Sequence, residues 1–325
     1  MFKQIYRFLA VGVILFYTSC SVIYEDPDAC ELSLQFVYDH NMEYADAFGS
    51  QVNSVDIYVF DSEGTYMFNK TSQRAGLADG NRMILTGDLA PGTYKILTVG
   101  GLSNKFAVSE INNSPLVPGT FNLEEIKVML KRNSSVVNDE FPDLWLGKSI
   151  VITHDNQART WPVQLIKETN VFNISLIEDT QRAAQLYSFE IITPEGAVYS
   201  WENSPLLNET LTYTPYDITV HDDGAETAHI KTCRLFDTGQ YKIVIRNRNT
   251  SELVWEYDLI KMLKYSKPAS RPDGSALPAQ EYLDRQSTWN LVIRHKGGVN
   301  EDGDAFVALA VEINGWILWL NNVDF

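Results

Sequence analysis

From residue 31 onward the chain is written in short runs of alternating apolar and polar residues, broken by turn residues. In SVDIYVF, residues 54–60, Val55, Ile57 and Val59 alternate with Asp56, Tyr58 and Phe60. A period of two puts alternate side chains on opposite faces of a strand. Asp61-Ser62-Glu63-Gly64 follows, and Gly64 is free to adopt positive φ, so residues 54–68 predict a hairpin. Residues 89–101, LAPGTYKILTVGG, repeat the logic: Pro91-Gly92 suits the centre of a type II turn, and Thr93 to Val99 is a strand. Later, TCRLFDTGQYKIVIRNRNTSELVWEYDL predicts strands in succession, with turns at Asp237-Thr238-Gly239 and Asn247-Arg248-Asn249-Thr250. STWNLVIRH and AFVALAVEINGWILWL close the chain as strands, and Asn314-Gly315 between them is a strong hairpin signal.

Helical periodicity is scarce. Leu123, Ile126, Met129 and Leu130 fit one face of a short helix, and Leu259, Met262 and Leu263 fit another. Many short strands with close turns predict an all-β protein of packed β-sandwiches with short helical insertions. A length of 325 residues suggests two domains. The polar stretch HDNQART precedes Trp161-Pro162, which places the boundary there: residues 31–161 and 162–325. The proline-studded stretch between Tyr265 and Gln280 is expected to be a surface excursion, either an ordered flap or a mobile segment.

The front of the chain differs from the rest. Lys3 and Arg7 precede an uncharged apolar run, Phe8 to Tyr17. Ten residues cover only ~15 Å as a helix, about half a hydrocarbon core, so residues 1–19 read as a signal peptide. Thr18 and Ser19 lead into Cys20, in a pattern similar to a bacterial lipobox, with Tyr17 where such motifs usually carry Leu. Cys20 is therefore the expected lipid attachment point and mature start, and residues 20–30 the lipidated linker. Glu25, Asp26 and Asp28 make that linker acidic, so acyl chains rather than charge would hold it to anionic lipid.

The formal net charge is −16, and removing residues 1–19 leaves −18. That argues against a nucleic-acid partner, whose phosphates need a basic face. With Cys20 acylated, Cys30 and Cys233 remain, either as a disulfide in an oxidising compartment or as two separate thiols. No nucleophile elbow, phosphate-binding loop, dinucleotide fingerprint or zinc-protease motif occurs. Histidines 40, 154, 221, 229 and 295 are scattered, and only His221 and His229 lie near each other. The acidic turns at 221–226 and 300–305 do not follow the calcium-loop pattern and are expected to be solvated. The seven tryptophans are spread over both halves, as packing residues would be. The expectation is a non-enzyme with no cofactor, no metal and no small-molecule substrate.

Several passages together resemble the FimB/Mfa-type minor subunits of type V fimbriae. They are the leader FYTSC…YEDPDAC, LSLQFVYDHNMEYADAFGSQVNSVDIYVFD, LAPGTYKILTVGG, LWLGK, QEYLDRQSTWNLVI and VEINGWILWL. The resemblance spans nearly the whole chain. It implies two tandem transthyretin-like β-sandwiches, acylation of Cys20, and anchorage of a fimbrial shaft pilin at the outer membrane, with a limit on fimbrial length as a further expectation. It also implies a comparison with shaft pilins, in which an Arg-directed protease removes the first strand and opens a groove for a neighbour's strand. Here no Lys or Arg occurs from Phe8 to Asn69, and the expected first strand, Glu31 to Tyr38, lies inside that window. The chain is thus expected to keep its first strand and its groove filled. Contact with the shaft must then use another edge. The run Trp316, Ile317, Leu318, Trp319 and Leu320 is the candidate, because a continuous apolar run suits a strand buried on both faces. The competing reading has that run completing its own domain's sheet. A different class of function, an adhesin or tip subunit binding a glycan or host protein through loops at the sandwich ends, also fits the leader and the sandwiches.

Overall fold

The computed structural model describes residues 31–110, 115–178, 187–222, 226–296 and 307–319. Ten strands make up the first half in sequence: β1 (Leu32–Val37), β2 (Ser54–Phe60), β3 (Tyr66–Gln73), β4 (Arg82–Ile84), β5 (Gly92–Gly100), β6 (Phe106–Glu110), β7 (Ile126–Leu130), β8 (Val136–Val137), β9 (Trp145–His154) and β10 (Arg159–Lys167). The second half holds β11 (Thr169–Glu178), β12 (Tyr187–Thr193), β13 (Val198–Ser200), β14 (Leu211–Tyr213), β15 (Asp217–Val220), β16 (Glu226–Cys233), β17 (Lys242–Asn247), β18 (Leu253–Asp258), β19 (Thr288–Lys296), β20 (Val307–Ile313) and β21 (Trp316–Trp319). Short helices α1 (Phe48–Gln51), α2 (Leu259–Lys264) and α3 (Ala279–Arg285) connect them.

In the first half a seven-stranded sheet runs β3-β2-β5-β9-β10-β1-β4. β10 turns a corner in it: residues 159–164 pair with β1, and residues 165–167 pair with β9. Such a strand lets one sheet fold over on itself. Leu32, Leu34 and Phe36 of β1 thereby meet Val55, Ile57 and Val59 of β2, Ile96 of β5 and Val163 and Leu165 of β10 in one core. The other face of β2, Tyr58 and Phe60, packs with Phe106, Ile126, Val128 and Leu130 in a second core.

The second half is a sandwich of a six-stranded sheet, β15-β16-β11-β19-β20-β21, on a five-stranded sheet, β18-β17-β12-β14-β8. Phe172, Ile174, Ile230, Trp289 and Leu291 from one sheet meet Phe189, Ile191, Ile243 and Ile245 from the other. These belong to the same cluster as Tyr58 and Phe106, so the two sandwiches share a core. They also exchange strands. β13 joins β7 and β6 in a three-stranded sheet, and β8 pairs in parallel with β14.

Three expectations are corrected. The stretch read as a helix at Leu123–Leu130 is a single 3-10 turn, Leu123–Glu125, followed by β7. The Asn122–Glu125 capping box makes the turn, but Ile126, Val128 and Leu130 then alternate inward as a strand. Gly92 does not take positive φ and opens β5, so the type II turn at Pro91-Gly92 does not form. Trp161-Pro162 is not a boundary but lies within β10, and the chain crosses between sandwiches at Glu168. The excursion at residues 265–280 takes the ordered of its two expected forms. Lys267 Nζ donates to the Leu277 carbonyl at 2.8 Å, Arg271 is bound by Glu281 of α3, and Ser270 bridges to Ala276. The hairpins at Gly64 and at Asn314-Gly315 and the helix at Leu259–Lys264 are as expected.

Candidate functional site

The first strand is held along both edges. Six residues of β1, from Leu32 opposite Arg159 to Val37 opposite Gln164, pair in parallel with β10. On the other side Ser33, Leu34 and Gln35 pair antiparallel with β4. Ser33 Oγ and Thr160 Oγ1 are 3.0 Å apart, and the Leu32 amide donates to Thr86 Oγ1 at 2.9 Å. Arg82 grips Glu31 just ahead of the strand. Leu32, Leu34 and Phe36 are fully buried, and Phe36 stacks on Phe48 of α1 at 5.7 Å. Burying three such side chains contributes roughly 5–9 kcal/mol, an upper figure because the unfolded chain is itself partly compact. Tyr38, just past the strand, packs edge-on against Trp145, and burial pushes its hydroxyl up to about 12. The first basic residue after this strand, Lys70, sits in β3 opposite Ile57 with its ammonium on Asp88 at 2.6 Å.

The last strand is the opposite case. Among the described residues β21 pairs antiparallel with β20 only and forms an edge of its sheet. Asn314 (φ 48°) and Gly315 (φ 86°) make the tight turn, which needs positive φ at both positions. The run therefore completes its own sheet. It is not buried on both faces: Trp316 is 64% and Ile317 56% exposed, and among the described residues no strand lies beyond β21. Leu318 is half-buried against the core. Trp319 ends the strand, and Leu320 lies outside the described residues.

Between these ends sits a polar junction that the sequence did not announce. Asp143, two residues before β9, accepts from Lys167 Nζ and Lys231 Nζ at 2.7 Å each and from Thr169 Oγ1 at 2.8 Å. Burial alone would raise its carboxyl, but the two ammonium groups hold it below the usual carboxylate range. Next to it, Glu168 is fully buried at the crossover. Its amide donates to the Leu144 carbonyl at 2.7 Å, and its Oε1 accepts from Asn203 Nδ2 at 2.6 Å. Arg234 Nη1 lies 4.0 Å from Glu168 and pairs with Asp284 of α3, Nε to Oδ1 at 2.7 Å and Nη2 to Oδ2 at 2.8 Å. Burial pushes the Glu168 carboxyl up to about 7 despite Arg234 and Asn203. Arg285 reaches back to the carbonyls of Asp39 and Asn41, tying α3 to the segment after β1. The signal available in sequence was Lys167-Glu168-Thr169, three polar residues directly following an alternating strand.

The remaining candidate residues fall as follows. Cys20 and Cys30 lie outside the described residues. Cys233 is a free, buried thiol at the end of β16, pushed up to about 12 by burial. His229 bonds Asn173 and Thr219 at 2.8 and 2.9 Å, and His221 bonds Thr227 at 2.8 Å. Both histidines are thus used in cross-strand ladders on the outer face of the six-stranded sheet. The acidic turn at 300–305 and residues 223–225 of the other lie outside the described residues. Among the described residues, no three side chains of the metal-ligating kinds come together. An open cleft of about 680 Å³ borders β18, but the aromatic rings along it are buried, with Trp255 5% and Tyr257 8% exposed.

Comparison with known proteins places this architecture. A crystal structure of a proposed adhesin from Bacteroides ovatus superposes with a TM-score of 0.84 at 44% identity, covering 94% of this chain and 99% of that one. A proposed polysaccharide-binding protein from Bacteroides thetaiotaomicron superposes at 0.79 with 28% identity, covering 91% of this chain and 100% of that one. The fimbrial anchor protein Mfa2 from Porphyromonas gingivalis shares the fold, with a TM-score of 0.67 at 16% identity over 89% of this chain and 98% of that one. No curated protein sequence matches. Residues 27–322 match the family of fimbrillin-A associated anchor proteins Mfa1 and Mfa2, and the chain belongs to that family, whose members are fimbria-associated β-sandwich proteins.

Proposed function

We propose that this chain is an outer-membrane lipoprotein, acylated on Cys20, that anchors a fimbria by contact with the first shaft pilin and ends the polymer there. The observation that carries the reading is the first strand. It lies in a window without Lys or Arg, from Phe8 to Asn69, and it is paired on both edges. An Arg- or Lys-directed protease has nowhere in that window to cut, so the strand stays and no acceptor groove opens. The pilin contact is assigned to the β21 edge, whose outer side has no strand partner among the described residues and whose exposed Trp316 and Ile317 offer a template for an added strand. Limiting fimbrial length follows from a subunit that accepts growth on one side only.

The adhesin reading is the weaker of the two. A sugar needs an exposed ring face to stack on, and the rings beside the β18 cleft are buried. The direct test is the intact mass of native protein extracted from outer membrane. A mass equal to residues 20–325 plus acyl chains is expected. A chain beginning between residues 39 and 54 would mean a processed, polymerising pilin and would end the anchor assignment.

A further inference from the structure

Among the described residues nearly all strand pairs are antiparallel. Two long pairs are not. β1 runs parallel to β10, from Leu32 opposite Arg159 to Val37 opposite Gln164. β11 runs parallel to β19, from Val171 opposite Thr288 to Glu178 opposite His295. Among the described residues the other parallel strand pair, β8 with β14, covers only Val136 and Val137 opposite Thr212 and Tyr213.

The direction in which each strand is tethered gives these pairs a mechanical meaning. A pull applied ahead of Glu31 draws β1 toward its amino end. Its partner β10 is held from the opposite end, because Lys167 leads straight into Glu168 and β11. The two strands are therefore pulled in opposite directions along their common axis, and every bond of the ladder is loaded together. The evenly spaced bonds of a parallel ladder share such a load. In a hairpin opened from its free end, by contrast, the bonds take the load one after another. The same arrangement recurs in the second half. β11 is drawn toward its amino end through Thr169, while β19 continues at its carboxyl end toward β20. Slippage is opposed as well. A shift of β1 by one residue would turn Leu32, Leu34 and Phe36 out of the core they share with Val163 and Leu165. Between the two pairs the crossover is pinned by Asp143, which holds Lys167 and Thr169 from the crossover and Lys231 from β16.

We infer that the parallel pair β1–β10 is a shear clamp that carries tension between an amino-terminal tether and a load on the second sandwich, and that β11–β19 repeats the arrangement for a load applied beyond β19. Its meaning in the cell rests on the anchoring role proposed above; the mechanical property does not. Resistance to force is set by the unfolding barrier under load rather than by equilibrium stability, so it has to be measured by pulling.

The experiment is single-molecule pulling on the full chain in a background with Cys20 and Cys30 replaced by Ser. One handle is fixed at the amino terminus. The second is a cysteine introduced at one of two exposed turn positions, Asn249→Cys or Gln157→Cys. Through residue 249 the force crosses β1–β10 in shear. Through residue 157, two positions ahead of β10, the handles sit at the same end of the pair and peel it open from Leu32 and Arg159. Thermal melts of both variants confirm an unchanged fold. The expected result is a rupture force several-fold higher through 249 than through 157 at the same pulling rate. Equal forces, or a lower force through 249, overturn the inference. Neither lipid nor pilin is needed, so this outcome is separate from the mass measurement that tests anchoring.

Discussion

The first and last strands of this chain are built on opposite plans. β1 has a neighbour on each side, and Leu32, Leu34 and Phe36 are wholly removed from water. β21 has one neighbour among the described residues and leaves Trp316 and Ile317 facing solvent. Both are apolar segments, so composition does not explain the difference. What differs is where the topology puts them: β1 closes a folded-over sheet, and β21 ends an open one. An apolar strand inside the sheet stabilises the molecule, whereas the same residues at an edge contribute little to it and remain available to another chain.

The contrast can be broken most severely at β1. Phe36→Ala should cost about 3–5 kcal/mol, since a fully buried aromatic leaves a cavity against Phe48. Urea unfolding at constant slope checks this, and a loss near zero would mean the strand is not held as described. Next comes the junction. Asp143→Ala removes the common partner of Lys167 and Lys231, whose side chains are each only 9% exposed, and should cost about 3 kcal/mol.

Glu168 sharpens the comparison through pH. Its carboxyl is raised in the folded chain from 4.5 to about 7, so the folded state binds more protons than the unfolded state across that window. The contribution is fully present below pH 4.5 and is lost as the pH rises toward 7, by roughly 3 kcal/mol. Glu168→Gln, which stays neutral, should flatten that decline in a series of urea midpoints. An unchanged decline would assign it to other groups.

The smallest effect on folding is expected at β21. Trp316→Ser with Ile317→Ser should change stability by only about 0.5 kcal/mol, as exposed substitutions do. The same variant should shed fimbriae into the medium. Retained fimbriae with an unchanged fold would remove β21 from the proposed contact.

Much of this architecture was legible because its signals are local. Val55, Ile57 and Val59 alternate within one strand, and Gly64 and Asn314-Gly315 carry their turn geometry with them. The errors arose where a local signal had more than one reading. Leu123, Ile126, Met129 and Leu130 fit a helical face, but a short apolar run fits a strand equally well, and pairing with β6 and β13 decided it. Pro162 looked like a break, yet β10 pairs with β9 only from Leu165 onward, which leaves one side of the strand open at the proline. The apolar composition of 316–320 suggests burial on both faces, and composition cannot reveal that Trp316–Trp319 forms the edge of its sheet among the described residues. The Asp143 and Glu168 clusters gather residues from distant parts of the chain, and no spacing rule finds such groups.

The parallel pairing of β1 has a consequence in time. Ser33 and its partner Thr160 are 127 positions apart, and Asn173 and Asn290 in the second pair are 117 apart. Contacts so remote in sequence make for slow folding, because a long loop must close before its pairing is rewarded. The segment LSLQF, among the first of the body to be synthesised, cannot pair with β10 until residues 159–164 have been made. Until then it is an unpaired apolar strand in a chain still emerging, and such species aggregate. The fold that makes the first strand so secure once formed thus leaves it without its long parallel partner for as long as the chain ahead of Arg159 is all that exists.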